Sequence, residues 1–224
     1  TALWSLLTPV LLAADALGLA SCPPPVLARV ADRLDEAATA YRPASESFVN
    51  SAKGLALDLA AGIPVVLGAG AVAGVAARRA AAMLARTARV PATWGELPDA
   101  AAQVVALFDG PYTEAGAQAI AGDPAATADI FRDPYLDASP DPRIVLALLR
   151  DGPEADAGLA DAVADAARAA GVRVCEQSAG PGEPLERLAD LVALVDFSAT
   201  YLALGLGLDP ATSPHVADLR DRTS

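Results

Sequence analysis

The sequence of 224 residues predicts an α/β fold, with a doubly wound parallel sheet at its centre. Residues 63–67 and 143–149 are short apolar runs without polar alternation, a pattern typical of strands buried on both faces. Helical segments alternate with such runs along the chain, as they do in sheets that helices cover on both sides. We expect at least four buried strands, and a ligand beyond their carboxyl ends, where open α/β sheets bind ligands.

The first β-α-β unit begins at Ile63. Its strand ends in the tight turn Gly68-Ala69-Gly70, residues 71–87 are predicted to form a helix, and a parallel strand is expected to start near Val90.

The spacing Gly68-x-Gly70-x-x-x-Gly74 approximates a dinucleotide-binding fingerprint. The third glycine is displaced by one position, and no acidic residue ends the following strand, since Glu96 comes too late. We therefore predict a plain tight turn and no nicotinamide cofactor.

Residues 3–20 are apolar and lead into Leu19-Ala20-Ser21-Cys22, which matches a lipoprotein cleavage pattern. No basic residue precedes the run, Asp15 lies within it and Pro9 interrupts it. We interpret it as a core or interface helix.

The remaining pattern predicts further helices and one more strand. Asn50 is a plausible N-cap for a helix that starts at Ser51. Residues 111–142 are rich in Gly, Pro, Ala and Asp and are interpreted as an insertion or a mobile loop. Helices are predicted over residues 26–41, 51–61, 97–108, 157–170 and 184–204 and after Pro214, and a strand over residues 172–176.

The composition excludes several classes of function. A hydrophobic fraction of 54% excludes a disordered chain, and a net charge of −12 disfavours electrostatic binding to nucleic acid or to an anionic membrane. Two cysteines and one histidine indicate neither a metal site nor a disulfide framework. We expect a cytoplasmic protein without a cofactor.

The most specific motif is Asp196-Phe197-Ser198-Ala199-Thr200-Tyr201-Leu202-Ala203-Leu204, followed by Asp209-Pro210. It resembles a signature of the C-terminal domain of bacterial bifunctional phosphoglucose/phosphomannose isomerases, which belong to the sugar isomerase (SIS) superfamily. Shorter matches to that domain are Asn50-Ser51-Ala52-Lys53, Val90-Pro91-Ala92 and Leu97-Pro98-Asp99.

The resemblance implies a SIS-type three-layer αβα sandwich over residues 49–224. Residues 1–48 would then be a helical arm or linker from a missing N-terminal SIS domain. It also implies a homodimer with active sites built partly across the interface, and a phosphorylated sugar as the small-molecule partner.

Two catalytic positions of the family are changed in this chain. Where the family has its glutamate base stands Arg86, and where it has its ring-opening histidine stands Ala102. Arginine cannot accept a proton at neutral pH, so the resemblance implies that the base is replaced by a fixed positive charge.

Substrate-binding candidates are Arg86, Ser213 and Arg220, because the last two stand where the family has a hydroxyl and a lysine. His215, Glu96 and Arg220 are candidates for a relocated acid/base role, with Asp99 as a further acid. Arg79 lies on the same helical stripe as Arg86 and would face either a phosphate or solvent.

Three functions follow from these residues. The first is a sugar-phosphate binding domain whose isomerase activity is lost or altered. The second is an active isomerase with acid/base groups from His215, Glu96 or the missing first domain. The third is a structural or regulatory dimerisation domain without a ligand.

Overall fold

The computed structural model describes residues 3–121, 143–152 and 157–223. Its centre is a parallel four-stranded sheet in the order β2-β1-β3-β4. The strands are β1 (Ile63–Ala69), β2 (Thr93–Leu97), β3 (Ile144–Arg150) and β4 (Arg173–Ser178). The doubly wound parallel α/β prediction is therefore confirmed.

Helices cover both faces of this sheet. The helices of the described residues are α1 (Leu3–Ala16), α2 (Pro24–Ala40), α3 (Ser51–Leu59), α4 (Ala71–Met83), α5 (Ala101–Leu107), α6 (Glu114–Ala121), α7 (Ala157–Ala169), α8 (Pro184–Gly205) and α9 (Pro214–Thr223). One apolar cluster joins α3, α4 and α8 to side chains such as Val66 and Leu149, and a second joins α5 and α7 to Leu67 and Leu148. Alternate residues of the central strands thus supply two cores, which gives three layers.

The expectation of four strands buried on both faces is wrong for the two outer ones. β1 and β3 are buried almost throughout, whereas β2 and β4 each expose several residues. Within the described part of the chain β2 and β4 are the edges of the sheet, so they are covered less completely than the strands between them.

The helix after β1 does not stay regular to Thr87 as predicted. α4 ends at Met83 and continues as a single π-helical turn, Leu84–Ala88. Arg89 ends this turn in the left-handed conformation, with φ of 59°, and the Val90 amide donates to the Leu84 carbonyl at 3.1 Å. The strand expected to start near Val90 begins later, because residues 89–92 form an irregular connection and β2 starts at Thr93.

α8 is the central helix of the core. Among the described residues it is the one helix long and apolar enough to cross a membrane, and 11 of its 22 residues are buried against the rest of the protein. Its apolar circumference is explained by its neighbours α2, α3 and α4, which surround it.

The two N-terminal helices contribute little to the core. α1 buries no residue, so it is not a core helix of this domain, and α2 buries only Val30. Ion pairs hold α2 on α8 instead, from Arg29 to Glu186 and from Arg33 to Asp190 at 2.9 Å. Arg29 also lowers the pKa of the Glu186 carboxyl group.

Within residues 111–142, which were interpreted as an insertion or a mobile loop, residues 114–121 form the helix α6. Its first residue, Glu114, lies against Gly171, and the Ala115 amide donates to the Ala170 carbonyl at 3.5 Å. Residues 122–142 lie outside the described part of the chain.

Candidate functional site

An open cleft of about 720 Å³ lies between the π-helical turn, α8 and the segment that contains α9. Its volume falls within the usual range for small-molecule sites. The lining residues are Met83, Arg86, Thr87, Thr200, Pro210, Ala211, Thr212, Ser213, Pro214, Val216, Ala217 and Arg220.

The cleft is at the amino ends of the strands. α4 and α8 start beyond the carboxyl ends of β1 and β4 and run back across the sheet, so Met83 and Thr200 lie near the opposite end. A ligand was expected beyond the carboxyl ends of the strands, so the cleft lies at the opposite end of the sheet from that expectation.

The three substrate-binding candidates, Arg86, Ser213 and Arg220, all line this one cleft. The lining residues include no Asp, Glu or His, so neither guanidinium meets a carboxylate there. The Arg86 Nη2 donates to the Met83 sulfur at 3.1 Å, which is a weak acceptor.

Hydroxyl groups complete the polar lining. Thr87 is buried beside Arg86, and Thr200 lies on α8 within the signature motif. Thr212 and Ser213 come from the loop before α9. Sequence reasoning named only Ser213; the position of Thr87 next to Arg86 was the available signal for a second hydroxyl.

The loop between α8 and α9 is organised by the Asp-Pro part of the signature. The Asp209 carboxylate accepts from the Ala211 amide at 2.9 Å and from the Thr212 hydroxyl at 3.0 Å. The Ala211 amide, followed by the Thr212 hydroxyl, lowers the pKa of the Asp209 carboxyl group. The motif therefore fixes the conformation of the loop that lines the cleft.

The acid/base candidates His215 and Glu96 lie outside the cleft lining. His215 is an exposed residue of the first turn of α9, and Glu96 is exposed near the carboxyl end of β2, with its carboxylate beside Gly74. Asp99 is exposed after β2. Their catalytic roles stay predictions.

Arg79 is bound to a carboxylate. Its Nε lies 2.9 Å from Asp196 Oδ1 and its Nη2 lies 2.6 Å from Asp196 Oδ2. Both side chains are largely buried. This pairing occupies the Arg79 guanidinium, and of these two arginines Arg86 is the one that lines the cleft.

The rest of the signature motif packs against the segment before α3. Phe197 meets the Tyr41 ring edge-on at 5.7 Å, and the Tyr201 hydroxyl donates to the Tyr41 carbonyl. The Lys53 ammonium lies 5.6 Å from the centre of the Tyr201 ring and donates to the Pro43 carbonyl at 2.8 Å. These contacts give Asp196, Phe197 and Tyr201 structural roles.

The glycine turn after β1 holds an internal carboxylate. Asp151, which follows β3, places Oδ2 3.4 Å from the Val72 amide at the start of α4 and Oδ1 3.3 Å from Arg187. A helix N-terminus attracts anions, and here a side chain takes that place. The geometry supports a tight turn without a bound nucleotide.

Gly68 has a packing reason of its own. A Cβ on Gly68 would lie 2.4 Å from the backbone of Ala73 and Gly74, so β1 and α4 are closer there than any side chain allows. The described residues contain no group of three or more Asp, Glu, His and Cys placed to hold a metal ion.

A comparison with protein families identifies the ancestry of this structure. A family model described as the bacterial phospho-glucose isomerase C-terminal SIS domain matches residues 48–223. The chain belongs to this family. The resemblance seen in the Asp196 and Asp209 motifs is thereby confirmed.

Solved structures show the same fold. A glucose-6-phosphate isomerase like protein from Thermus thermophilus is 22% identical, with a TM-score of 0.62. A hypothetical protein from the same organism, TT0462, is 13% identical, with a TM-score of 0.60. The matches cover 92% and 87% of this chain but only 59% and 49% of those two chains. A comparison with curated proteins gives no match.

In this SIS domain the two positions that the resemblance implies are changed, Arg86 and Ala102, are on opposite faces of the sheet. Arg86 lies in the cleft, whereas Ala102 is exposed on α5, which covers the other face of the sheet. The chain's own α5 therefore supplies no group to the cleft.

Proposed function

We propose that this SIS domain binds a phosphorylated sugar in the cleft, with Arg86 and Arg220 as the groups that hold the phosphate. The observation that carries the proposal is the presence of two arginines, Arg86 and Arg220, in one cleft whose lining residues include no carboxylate. Membership of the phosphoglucose isomerase family supports the sugar as the ligand class.

The chemistry of the lining suits such a ligand. A phosphate monoester carries a charge of about −1.5 to −2 at pH 7, and arginine binds its oxygens through two parallel N–H groups. Ser213, Thr87 and Thr200 add hydroxyl groups that exchange hydrogen bonds with a sugar. The open shape leaves room for further contacts from a neighbouring domain or subunit.

We further propose that isomerisation is lost or altered in this domain. Moving a proton between C1 and C2 requires a base, and none of the lining side chains can accept a proton at neutral pH. Any activity would need an acid or base from outside the cleft lining, such as His215, Glu96 or another domain.

The assembly of the whole protein is also a proposal. We propose that residues 1–48 lead in from an N-terminal SIS domain, that two chains form a dimer and that the protein is cytoplasmic. The solved structures that match are longer than this chain, which supports a further domain. The mass of the full-length protein in solution, measured by light scattering, tests the dimer.

The binding proposal is tested by titration calorimetry on the full-length protein with glucose 6-phosphate, fructose 6-phosphate and mannose 6-phosphate. Free glucose and inorganic phosphate separate the contributions of the sugar and the phosphate. We expect Arg86→Ala and Arg220→Ala to weaken binding by about ten-fold or more each, the scale of one lost charged hydrogen bond. Arg222→Ala is the matched control, because Arg222 is on α9, outside the cleft lining.

Two results would overturn the proposal. Equal affinity of wild-type protein and Arg86→Ala would show that Arg86 does not hold the phosphate. Absence of any sugar-phosphate binding at millimolar concentration would show that the ligand class is wrong. A coupled isomerase assay addresses the activity separately. Turnover that His215→Ala abolishes would show that the domain is an active isomerase with a relocated group.

A further inference from the structure

Arg89 does not line the cleft, yet it holds the loop that does. We propose that Arg89 is a positioning residue for the ligand site, which acts by fixing the loop before α9 and, through it, Arg220. This inference rests on the proposed function for its effect on binding, and on the geometry of the loop for its mechanism.

The hydrogen bonds of Arg89 span the loop. Its Nη2 donates to the Asp209 carbonyl at 3.0 Å and also to the Thr212 carbonyl. One guanidinium thus connects the two ends of the turn from Asp209 to Thr212. Within this turn the Asp209 carboxylate accepts hydrogen bonds from Ala211 and Thr212. The π-helical turn and the loop become one unit across the cleft.

Much of the cleft depends on that connection. Eight of the twelve lining residues belong to the segment from Pro210 to Arg220, and α9 buries none of its residues. A helix without buried side chains gains little from the core, so its location depends on the loop that carries it. Arg220 is about two helical turns along α9 from Pro214, and a shift of the loop moves its guanidinium with it.

The backbone at Arg89 gives a second observation. Arg89 is the one non-glycine residue with positive φ in the described ranges, at 59°. Residues with a Cβ atom are disfavoured in this conformation, and glycine is the usual residue there after a helix. A glycine would end the turn with less strain but would have no guanidinium to reach the loop.

This strain makes Arg89→Gly an informative variant. Because glycine suits the backbone, we expect the unfolding midpoint of Arg89→Gly to stay within a few degrees of the wild-type value. The affinity for glucose 6-phosphate should fall by roughly five-fold or more, the usual range for coupled neighbouring residues. Arg89→Lys keeps one cationic donor and should recover part of that loss.

A double-mutant cycle separates positioning from general damage to the fold. If Arg89 acts through Arg220, Arg89→Gly should change the affinity by less than about two-fold when Arg220 is already alanine. Hydrogen exchange gives a readout that needs no ligand. The Ala211 amide and its neighbours should exchange faster in Arg89→Gly, while amides in β1 and β3 stay as in the wild type.

The possible failures are distinguishable. If wild-type protein binds no sugar phosphate, the proposed function is wrong, and hydrogen exchange alone decides whether Arg89 anchors the loop. If binding occurs and Arg89→Gly binds as wild type does, the inference is overturned. Equal effects of Arg89→Gly with and without Arg220 would also overturn it.

Discussion

Arg79 and Asp196 form a two-point ion pair that joins α4 to α8 across the first core, with N–O distances of 2.9 and 2.6 Å. The side chains are 20% and 26% exposed, so solvent screens the pair only in part. The acidic residue of the most specific sequence motif therefore contributes to structure.

Loss of this pair should destabilise the fold. We expect Asp196→Asn to lower the free energy of unfolding by about 2 kcal/mol, because Arg79 would lose its charged partner in a poorly solvated place. Urea unfolding of the variant measures this. Asp165→Asn, an exposed carboxylate on α7, is the control and should change the value by less than about 0.5 kcal/mol.

The Asp151 carboxylate at the start of α4 should also contribute to stability. In Asp151→Ala the Val72 amide loses its acceptor and Arg187 loses its ion-pair partner, and we expect a loss of about 1–2 kcal/mol in the free energy of unfolding. Asp151→Asn should lose less, since it keeps an oxygen acceptor. Equal stability of Asp151→Ala and wild type in urea unfolding would contradict this role.

A pH-dependent contribution is expected from Glu176 on β4. Arg150, at 2.6 Å, is the main cause of the lowered pKa of this carboxyl group, and Arg168 adds to it. A carboxyl group with a lowered pKa stabilises the fold above its unfolded pKa of about 4.3, and the effect disappears as pH falls through the lower folded value.

Glu176→Gln should therefore be about 0.5–1 kcal/mol less stable than wild type at pH 7, since the network is partly exposed. The difference should shrink as the pH falls below about 4. Urea unfolding of both proteins from pH 7 to pH 3 measures it. A difference that stays constant over this range would show that the charge is irrelevant.

Substitution by alanine should have opposite effects on the stability of the fold at two glycines, Gly68 and Gly54. Gly68→Ala should destabilise the fold by about 3 kcal/mol or more, because its Cβ would lie 2.4 Å from the backbone of α4. Gly54→Ala should stabilise it by about 0.5–1 kcal/mol, because Gly54 is inside α3 and has open space around it. Thermal unfolding of the two variants gives the comparison.

Cys175 should be inert in the folded protein. Burial raises the pKa of its thiol to about 12, so the reactive thiolate is scarce at pH 8. We expect iodoacetamide to label Cys175 only after denaturation, with mass spectrometry as the readout. Rapid labelling of the native protein would show that β4 opens more easily than its burial suggests.

The layers of the fold could be predicted because the burial of an element shows in the pattern of apolar residues within that element. The apolar runs at β1 and β3 and the apolar circumference of α8 follow directly from their place between other elements. The exposure of the two outer strands was harder to predict, since the same apolar residue types occur in edge strands and in central strands. The π-helical turn was not predictable from periodicity, because it depends on how Arg89 and Leu84 meet after the chain has folded.

The candidate site was predicted in part. Arg86, Ser213 and Arg220 were named from a family resemblance, and one cleft brings them together, although Arg86 is far from the other two along the chain. Their roles in binding stay predictions. Arg89 was missed because its bonds go to backbone carbonyls of Asp209 and Thr212, and no residue pattern reports such a contact.

The π-helical turn makes the cleft sensitive to chain length. A π turn holds one residue more than the α-helical turn it replaces, and each residue of a helix turns the chain by about 100°. The wider turn accommodates that extra residue locally, so deletion of one residue between Leu84 and Ala88 would restore a regular helical turn that still ends at Arg89 but would place Arg86 differently. At this place a homologue that differs by a single-residue gap would have a different cleft, even if every residue of its lining were the same.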